Sequence, residues 1–176
     1  AVSNFRFFAG AIRHARTDFH EMATAINYTL RRPLGVVGLI TPWNLPLYLL
    51  SWKAAPALAM GNTVVVKPAP QDPLAVLRFA EAVEEAGLPP GVFNVVTGSG
   101  AETGQALVEA DIDMVSFTGS TPVGQRIAET AGRGMKRLLL ELGGKGAAIV
   151  FDSCRSAPGD VRIAKHANGT VLNLPP

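Results

Sequence analysis

Apolar positions recur along this chain with two different periods. From about Phe5 to Ala25 they fall at helical spacing, with Phe5, Phe8, Ile12, Ala15, Phe19, Met22 and Ile26 on one stripe. That stripe predicts an amphipathic helix leading into the domain. Beyond it the pattern changes to short apolar runs, the first of them too short for a helix and rich in β-branched residues, most set off by Gly or Pro. Six such runs read as strands: Leu34–Ile40, Thr63–Lys67, Val92–Val96, Ile112–Phe117, Arg137–Leu142 and Ala147–Phe151. Helical stretches separate them. One runs from Leu45 to Met60 and is stopped by a left-handed cap at Gly61-Asn62, with a kink expected at Pro56. A second opens at Asp72-Pro73, Asp as N-cap and Pro at the first helical position, with Leu74, Leu77, Ala80 and Val83 inward and Gly87 as its stop. Two more are expected at Glu102–Glu109 and Thr121–Ala131.

Strands alternating with helices imply stacked βαβ units and a parallel sheet. Right-handed crossovers then cover both faces. The predicted fold is a doubly wound, Rossmann-like α/β domain, incomplete, over residues 1–152. From Ser153 the pattern stops, and 153–176 reads as an irregular tail. Ligands in such sheets sit beyond the carboxyl ends of the strands. The loops of interest are therefore Thr41–Asn44, Lys67–Pro70, Thr97–Gly104 and Thr118–Gly124.

Composition narrows the classes. The 176 residues are 48% hydrophobic and 17% charged, which excludes a disordered chain and suits strands covered on both faces. The net charge is +2, with no Lys/Arg stripe, so no nucleic-acid partner is expected. Pro33 to Trp52 is uncharged and long enough to span a bilayer. Pro33, Pro42, Pro46 and Asn44 interrupt it, so a strand, a turn and a helix start are expected there, with no membrane role. A single cysteine, Cys154, excludes a disulfide framework and suits a reducing, cytoplasmic setting. Ala1 at the start and Leu172–Pro176 at the end read as the limits of a piece of a longer protein.

Several positions could carry chemistry. Gly119-Ser120-Thr121-Pro122-Val123-Gly124 follows a strand and opens a helix, a place where free N–H groups can hold pyrophosphate. Ser120 or Thr121 caps that helix or meets a ligand oxygen. Gly98-Ser99-Gly100 forms a second glycine-rich loop. Lys67 stands at a strand's carboxyl end, extended by Pro68, and could donate to ribose hydroxyls or phosphate. Asn44 could donate to a developing oxyanion or close an Asx turn. Glu141, after three leucines, is expected to be desolvated, with its pKa raised, as suits a general base. His14, His20 and His166 show no ligand spacing, and no metal site is expected.

Four segments occur in order: Ile40-Thr41-Pro42-Trp43-Asn44, Gly61-Asn62-Thr63-Val64-Val65-Val66-Lys67-Pro68, Phe117-Thr118-Gly119-Ser120-Thr121 and Leu140-Glu141-Leu142-Gly143-Gly144-Lys145. Together they resemble the NAD(P)-dependent aldehyde dehydrogenase family, over about Phe5 to Asp152. Asn44 to Lys53 is similar to its muconic-semialdehyde branch. The resemblance implies an oxidoreductase that uses NAD or NADP and oxidises a small aldehyde to a carboxylic acid. In that reaction a cysteine thiolate attacks the aldehyde, hydride passes to the nicotinamide, and water hydrolyses the thioester. It assigns Asn44 to the oxyanion hole and Glu141 to water activation. Lys67 would bind the adenosine ribose, Ser120 and the Gly119–Gly124 turn the pyrophosphate, and Leu142 would lie against the nicotinamide ribose. Thr41, Pro42, Trp43, Gly98 and Thr118 complete the cofactor-binding set.

Three departures accompany it. Pro70 stands where NAD-preferring members often carry a Glu, so NAD versus NADP stays open. The family's amino-terminal elements, and with them oligomerisation segments, are absent. The family nucleophile falls near Asn173 to Pro176, where no Cys stands, and Cys154 is too close to Glu141 to be that residue. The chain alone is therefore expected to be inactive. Cys154-Arg155-Ser156 can be encoded as TGC CGA TCT. Read one base later, this gives the Ala-Asp-Leu that the family usually carries here, which suggests a tail out of frame. Alternatives are a non-catalytic dinucleotide-binding or interaction module, a dehydrogenase using Cys154 or a partner chain's thiol, and an acyl-phosphate or acyl-CoA reductase relative.

Overall fold

The computed structural model describes residues 1–144 and the backbone of 162–166 and 169–173. The chain divides into two units, Ala1–Leu142 and Gly143–Pro176. In the first, five parallel strands form one sheet: β3 (Val36–Ile40), β4 (Thr63–Lys67), β5 (Phe93–Val95), β6 (Met114–Thr118) and β7 (Arg137–Glu141). Their spatial order is β5-β4-β3-β6-β7. The chain builds outward from β3 to β5, then returns to β3 and builds the other way. This is the doubly wound topology read from the sequence, with its switch point between β3 and β6. The expected sixth strand, Ala147–Phe151, lies outside the described residues.

Alternation along the strands sends side chains to two cores. Val37, Leu39, Val64 and Val66 pack under α2 (Pro46–Ala59) and α3 (Leu74–Glu85), against Leu50, Ala54 and Val76. Ile40, Val115 and Phe117 pack on the other face under α4 (Gln105–Glu109) and α5 (Thr121–Arg133), against Leu107, Val108 and Ile127. Gly38 lies within the second core. A Cβ there would come 2.8 Å from Ile112 Cδ1, so only glycine lets the helix layer approach this closely. The uncharged run from Pro33 to Trp52 is the strand, turn and helix start expected of it. Among the described residues no helix is long and apolar enough to cross a membrane.

The base of the sheet is fastened by side chains. Asn62 Oδ1 accepts from the Leu34 and Gly35 amides at 2.6 and 3.2 Å, and its Nδ2 donates to the Ala57 carbonyl at 2.9 Å. Gly61, at φ +80°, makes the left-handed stop of α2 that puts Asn62 in reach. Asp113 Oδ2 accepts from the Val36 amide at 2.7 Å. Lys136 Nζ donates to the Val108 carbonyl at 2.8 Å and to that of Ala110, filling the acceptors at the end of α4.

Four local expectations are corrected. The first helix, α1, spans only Val2–Arg13. Phe19–Glu21 (β1) and Ile26–Tyr28 (β2) form an antiparallel ribbon instead, with Phe19 opposite Tyr28. Over so short a stretch helical spacing competes with strand propensity, and the aromatic and β-branched residues favour the strand. The α1 part does dock: Phe5 stacks on Phe79 at 5.2 Å, and Asn4 Nδ2 donates to Ser51 Oγ at 2.8 Å. Second, α3 starts at Leu74 with Pro73 as its N-cap and no side-chain cap. Asp72 closes a turn through its amide to the Ala69 carbonyl at 3.2 Å. Third, the inner stripe of α3 is Val76 and Phe79, and Leu74 is exposed. The two stripes differ by about 100° of helix rotation, one residue in phase, and the one carrying the aromatic ring is buried. Fourth, the stretch after Ser153, expected to lack elements, carries an antiparallel pair, β8 (Arg162–His166) and β9 (Gly169–Asn173).

Candidate active site

Register brings the sequence-predicted residues to one rim. Ile40 pairs with Lys67 and with Phe117, and Thr118 pairs with Glu141. Thr41, Lys67, Thr118 and Glu141 therefore end neighbouring strands at the carboxyl edge. The sheet then divides them between its faces.

On the α4/α5 face, Lys67 shares its side with Val65 and reaches toward Gly104, whose hypothetical Cβ would lie 3.8 Å from Lys67 Cδ. The lysine is buried, contrary to the solvated strand end that position alone suggests. Its Nζ donates to the Pro68 carbonyl at 3.1 Å, and desolvation pushes its pKa down. It lines a cleft of about 270 Å³ with Ile40, Gly104, Gln105, Phe117 and Arg126. Next along the rim, Thr41 Oγ1 is buried with no hydrogen-bond partner among the described residues.

Above the same rim, α5 begins at Thr121 with Ser120 at its N-cap. The Ser120 side chain makes no capping bond, so its hydroxyl and the first amides of a 13-residue helix are free. The glycines of this turn serve packing as well as access. A Cβ at Gly119 would sit 2.4 Å from Phe117 Cζ, and one at Gly124 would sit 2.5 Å from Leu142 Cδ2. Gly119 also donates its amide to the Glu141 carbonyl at 3.1 Å, tying the turn to β7. Gly98, at φ +150°, lies where a Cβ would overlap the Thr103 hydroxyl, so its loop needs glycine for its own fold. This second glycine-rich loop continues as a single π-helical turn, Gly100–Gly104, capped by Ser99 Oγ accepting the Glu102 amide at 3.0 Å.

On the α2 face, Pro42, Trp43 and Asn44 form the turn into α2. Asn44 and Trp43 are exposed, beside the exposed Leu45, Tyr48 and Trp52. Glu141 is also exposed, which corrects the expectation of a desolvated carboxylate. The reason is strand parity at an edge. Leu138 and Leu140 turn to the α5 core, while Arg137, Leu139 and Glu141 face the side of β7 that no described helix covers.

Sequence reasoning missed Lys53. It reaches from α2 to Ser116 on β6, Nζ to Oγ 2.9 Å, and only 6% of it is exposed. Burial pulls its pKa from 10.5 down to about 8, and the charge of Glu141 opposes that pull. The available signal was a lone cation within an otherwise uncharged helix.

A doubly wound sheet, a largely apolar cleft at the switch point and an uncapped helix start over it define an incomplete Rossmann-like fold. Residues 1–167 match the aldehyde dehydrogenase family, and the chain belongs to it. It is 51% identical over 151 residues to the 2-aminomuconic semialdehyde dehydrogenase of Danio rerio, covering 84% of this chain and 31% of that protein. It is 45% identical over 183 aligned positions to the 2-hydroxymuconic semialdehyde dehydrogenase of Pseudomonas sp. (strain CF600), covering 98% and 37%. The crystal structure of PnpE with nicotinamide adenine dinucleotide matches with a TM-score of 0.78 and 48% identity, covering 82% of this chain and 30% of that one. The chain thus spans about a third of the length of the curated relatives it matches.

Proposed function

We propose that residues 1–152 are the NAD(P)-binding part of an aldehyde dehydrogenase that oxidises a semialdehyde related to those of the muconic branch. The observation that carries this reading is Lys67: a buried, desolvated cation at the switch point, facing a cleft with apolar walls, next to a helix start whose donors are free. Those features fit an adenosine diphosphate moiety. Lys67 holds the ribose of the adenosine, with Thr41 next to it across the strand pair, while Pro42 and Trp43 form the cofactor-side turn that follows. Ser120, Thr118 and the Gly119–Gly124 turn hold the pyrophosphate, Gly98 shapes the neighbouring loop, and Leu142 lies along the nicotinamide ribose. When bound, the nicotinamide accepts the hydride.

The remaining duties fall to the α2 face. Asn44 donates to the oxygen of the aldehyde as charge develops on it. Glu141 takes a proton from the water that releases the acid, and its exposure leaves it open to that water. Lys53 sets the charge around that carboxylate. The thiol that the reaction needs is not Cys154, which follows Glu141 too closely in the sequence. The 176-residue chain by itself binds dinucleotide and does not turn over aldehyde. The substrate is a small molecule and the setting cytoplasmic.

Calorimetric titration of the chain with NAD+ and NADP+ tests the binding reading, and saturating cofactor that releases no heat and shifts no melting temperature overturns it. Aldehyde-dependent NADH formation by the same chain, abolished in Cys154→Ala, would overturn the assignment of the thiol.

A further inference from the structure

Lys53 borders a second cavity that the binding reading leaves unused. It measures about 680 Å³ and lies between α2, residues 29–34 and the strands β6 and β7. That is the size of a small-molecule site. Met60, Met114 and Leu139 give it apolar walls, and Arg31, Arg32, Arg137 and Lys53 give it four cations. None of the described residues lining it is a carboxylate. None of the four cations takes part in an ion pair among the described residues, where the only such pair is Arg78–Glu81. A cavity of one charge sign with apolar walls attracts an anion on an apolar body.

Lys53 is the reactive group within it. A lysine becomes nucleophilic when desolvation disfavours its ammonium form. Only 6% of Lys53 is exposed, and although the charge of Glu141 opposes the effect of burial, burial wins and leaves the pKa at about 8. At pH 7.5 about a quarter of such an amine is free, against about one in a thousand for an ordinary lysine. The bond to Ser116 does not forbid the free form. A hydroxyl that accepts from the ammonium can donate to the neutral amine.

We propose that this cavity is a covalent binding site for aldehydes that carry an anionic group, with Lys53 as the attacking amine and the arginines around it holding the anion. The Lys53 nitrogen adds to the carbonyl carbon and forms a C–N bond. The two protons of the free amine then leave with the carbonyl oxygen as water, and an imine remains. Nothing is oxidised or reduced, and water reverses the step. A semialdehyde keeps one carboxylate, so the substrate class proposed above falls within this ligand class. The site itself needs no dinucleotide.

The test is reductive trapping on the full chain at pH 7.5. The probes are 4-formylbenzoate and its uncharged methyl ester, with cyanoborohydride to fix the imine and peptide mass mapping to place it. The chain has five lysines. With 4-formylbenzoate, Lys53 should be labelled about tenfold or more faster than the mean of the other four. It should also prefer this probe to the ester, although the ester is the stronger electrophile. Lys67 is the internal control, since it too is buried and desolvated but lines the other cleft. Arg137 is exposed, so Arg137→Gln should fold as the parent does. The variant should lower labelling of Lys53 by 4-formylbenzoate about threefold, the order of one partly solvated ion pair, and leave labelling by the ester unchanged. Label that falls mainly on Lys67, or evenly over the lysines, overturns the proposal. Equal labelling of Lys53 by the two probes, unaltered in Arg137→Gln, overturns the anionic class. Either failure leaves the binding reading standing, because no cofactor enters the assay.

Discussion

Replacing Lys53 by methionine isolates one buried charge. In the folded chain its pKa falls from 10.5 to about 8, chiefly by desolvation. The unfolded chain therefore binds more protons than the folded one between about pH 8 and pH 10.5, and stability contributed by this group rises with pH across that window. Below it the full cost of a buried ammonium is present. At about 1.4 kcal/mol per pKa unit, the upper bound is about 3.5 kcal/mol, and solvent reaching the open side of β7 reduces it to about 2. Urea unfolding of the parent and of Lys53→Met at a series of pH values reads the effect. The stability advantage of the variant over the parent should shrink by about 2 kcal/mol from pH 7 to pH 10.5. Other groups titrating in this range cancel in the difference. Because the charge of Glu141 holds the Lys53 pKa up, Glu141→Gln should move the onset of the rise below pH 8. A difference that is flat, or that grows with pH, would refute the buried-charge account.

Three further outcomes are expected. Asn62→Ala removes two accepted bonds and one donated bond at the base of the sheet, and should cost about 2–3 kcal/mol in urea unfolding with an unchanged denaturant slope. Gly35→Ala places a Cβ at φ +127° against the Asp113 carboxylate and should cost about 2 kcal/mol or more, read as a lowered melting temperature. Lys67→Met should weaken NAD+ binding about tenfold or more by calorimetry, while leaving thermal stability unchanged or slightly raised, since a desolvated cation is lost.

The central sheet was legible because its strands are short apolar runs, most of them set off by a nearby Gly or Pro, and the order of strands and helices then gives the winding. Lys67, Thr118 and Glu141 were legible as rim residues because they end those runs. What sequence could not show depends on contacts between elements. The apolar flanks of Glu141 suggested burial, but Leu138 and Leu140 turn to one face and the carboxylate to the other, which is open at an edge strand. The stripe of α3 was misplaced because Phe79 is chosen by its contacts with Phe5 and Phe93, remote in sequence. Lys53 stayed hidden because its meaning comes from Ser116 on a strand far along the chain. The ribbon of β1 and β2 was read as helix because its spacing satisfies either period.

The fastening at the base of the sheet has a consequence for how this chain can change over time. Asn62, Asp113 and Lys136 fill the polar groups there, whereas at the opposite rim Thr41 Oγ1 and the Ser120 hydroxyl are left without protein partners. The two ends answer to different selection. Substitutions at the base would be judged by whether the chain folds, those at the rim by what it holds. A saturation library sorted once for abundance and once for ligand capture should therefore separate along the strand direction, with the rim free to vary toward new ligands while the base keeps the fold.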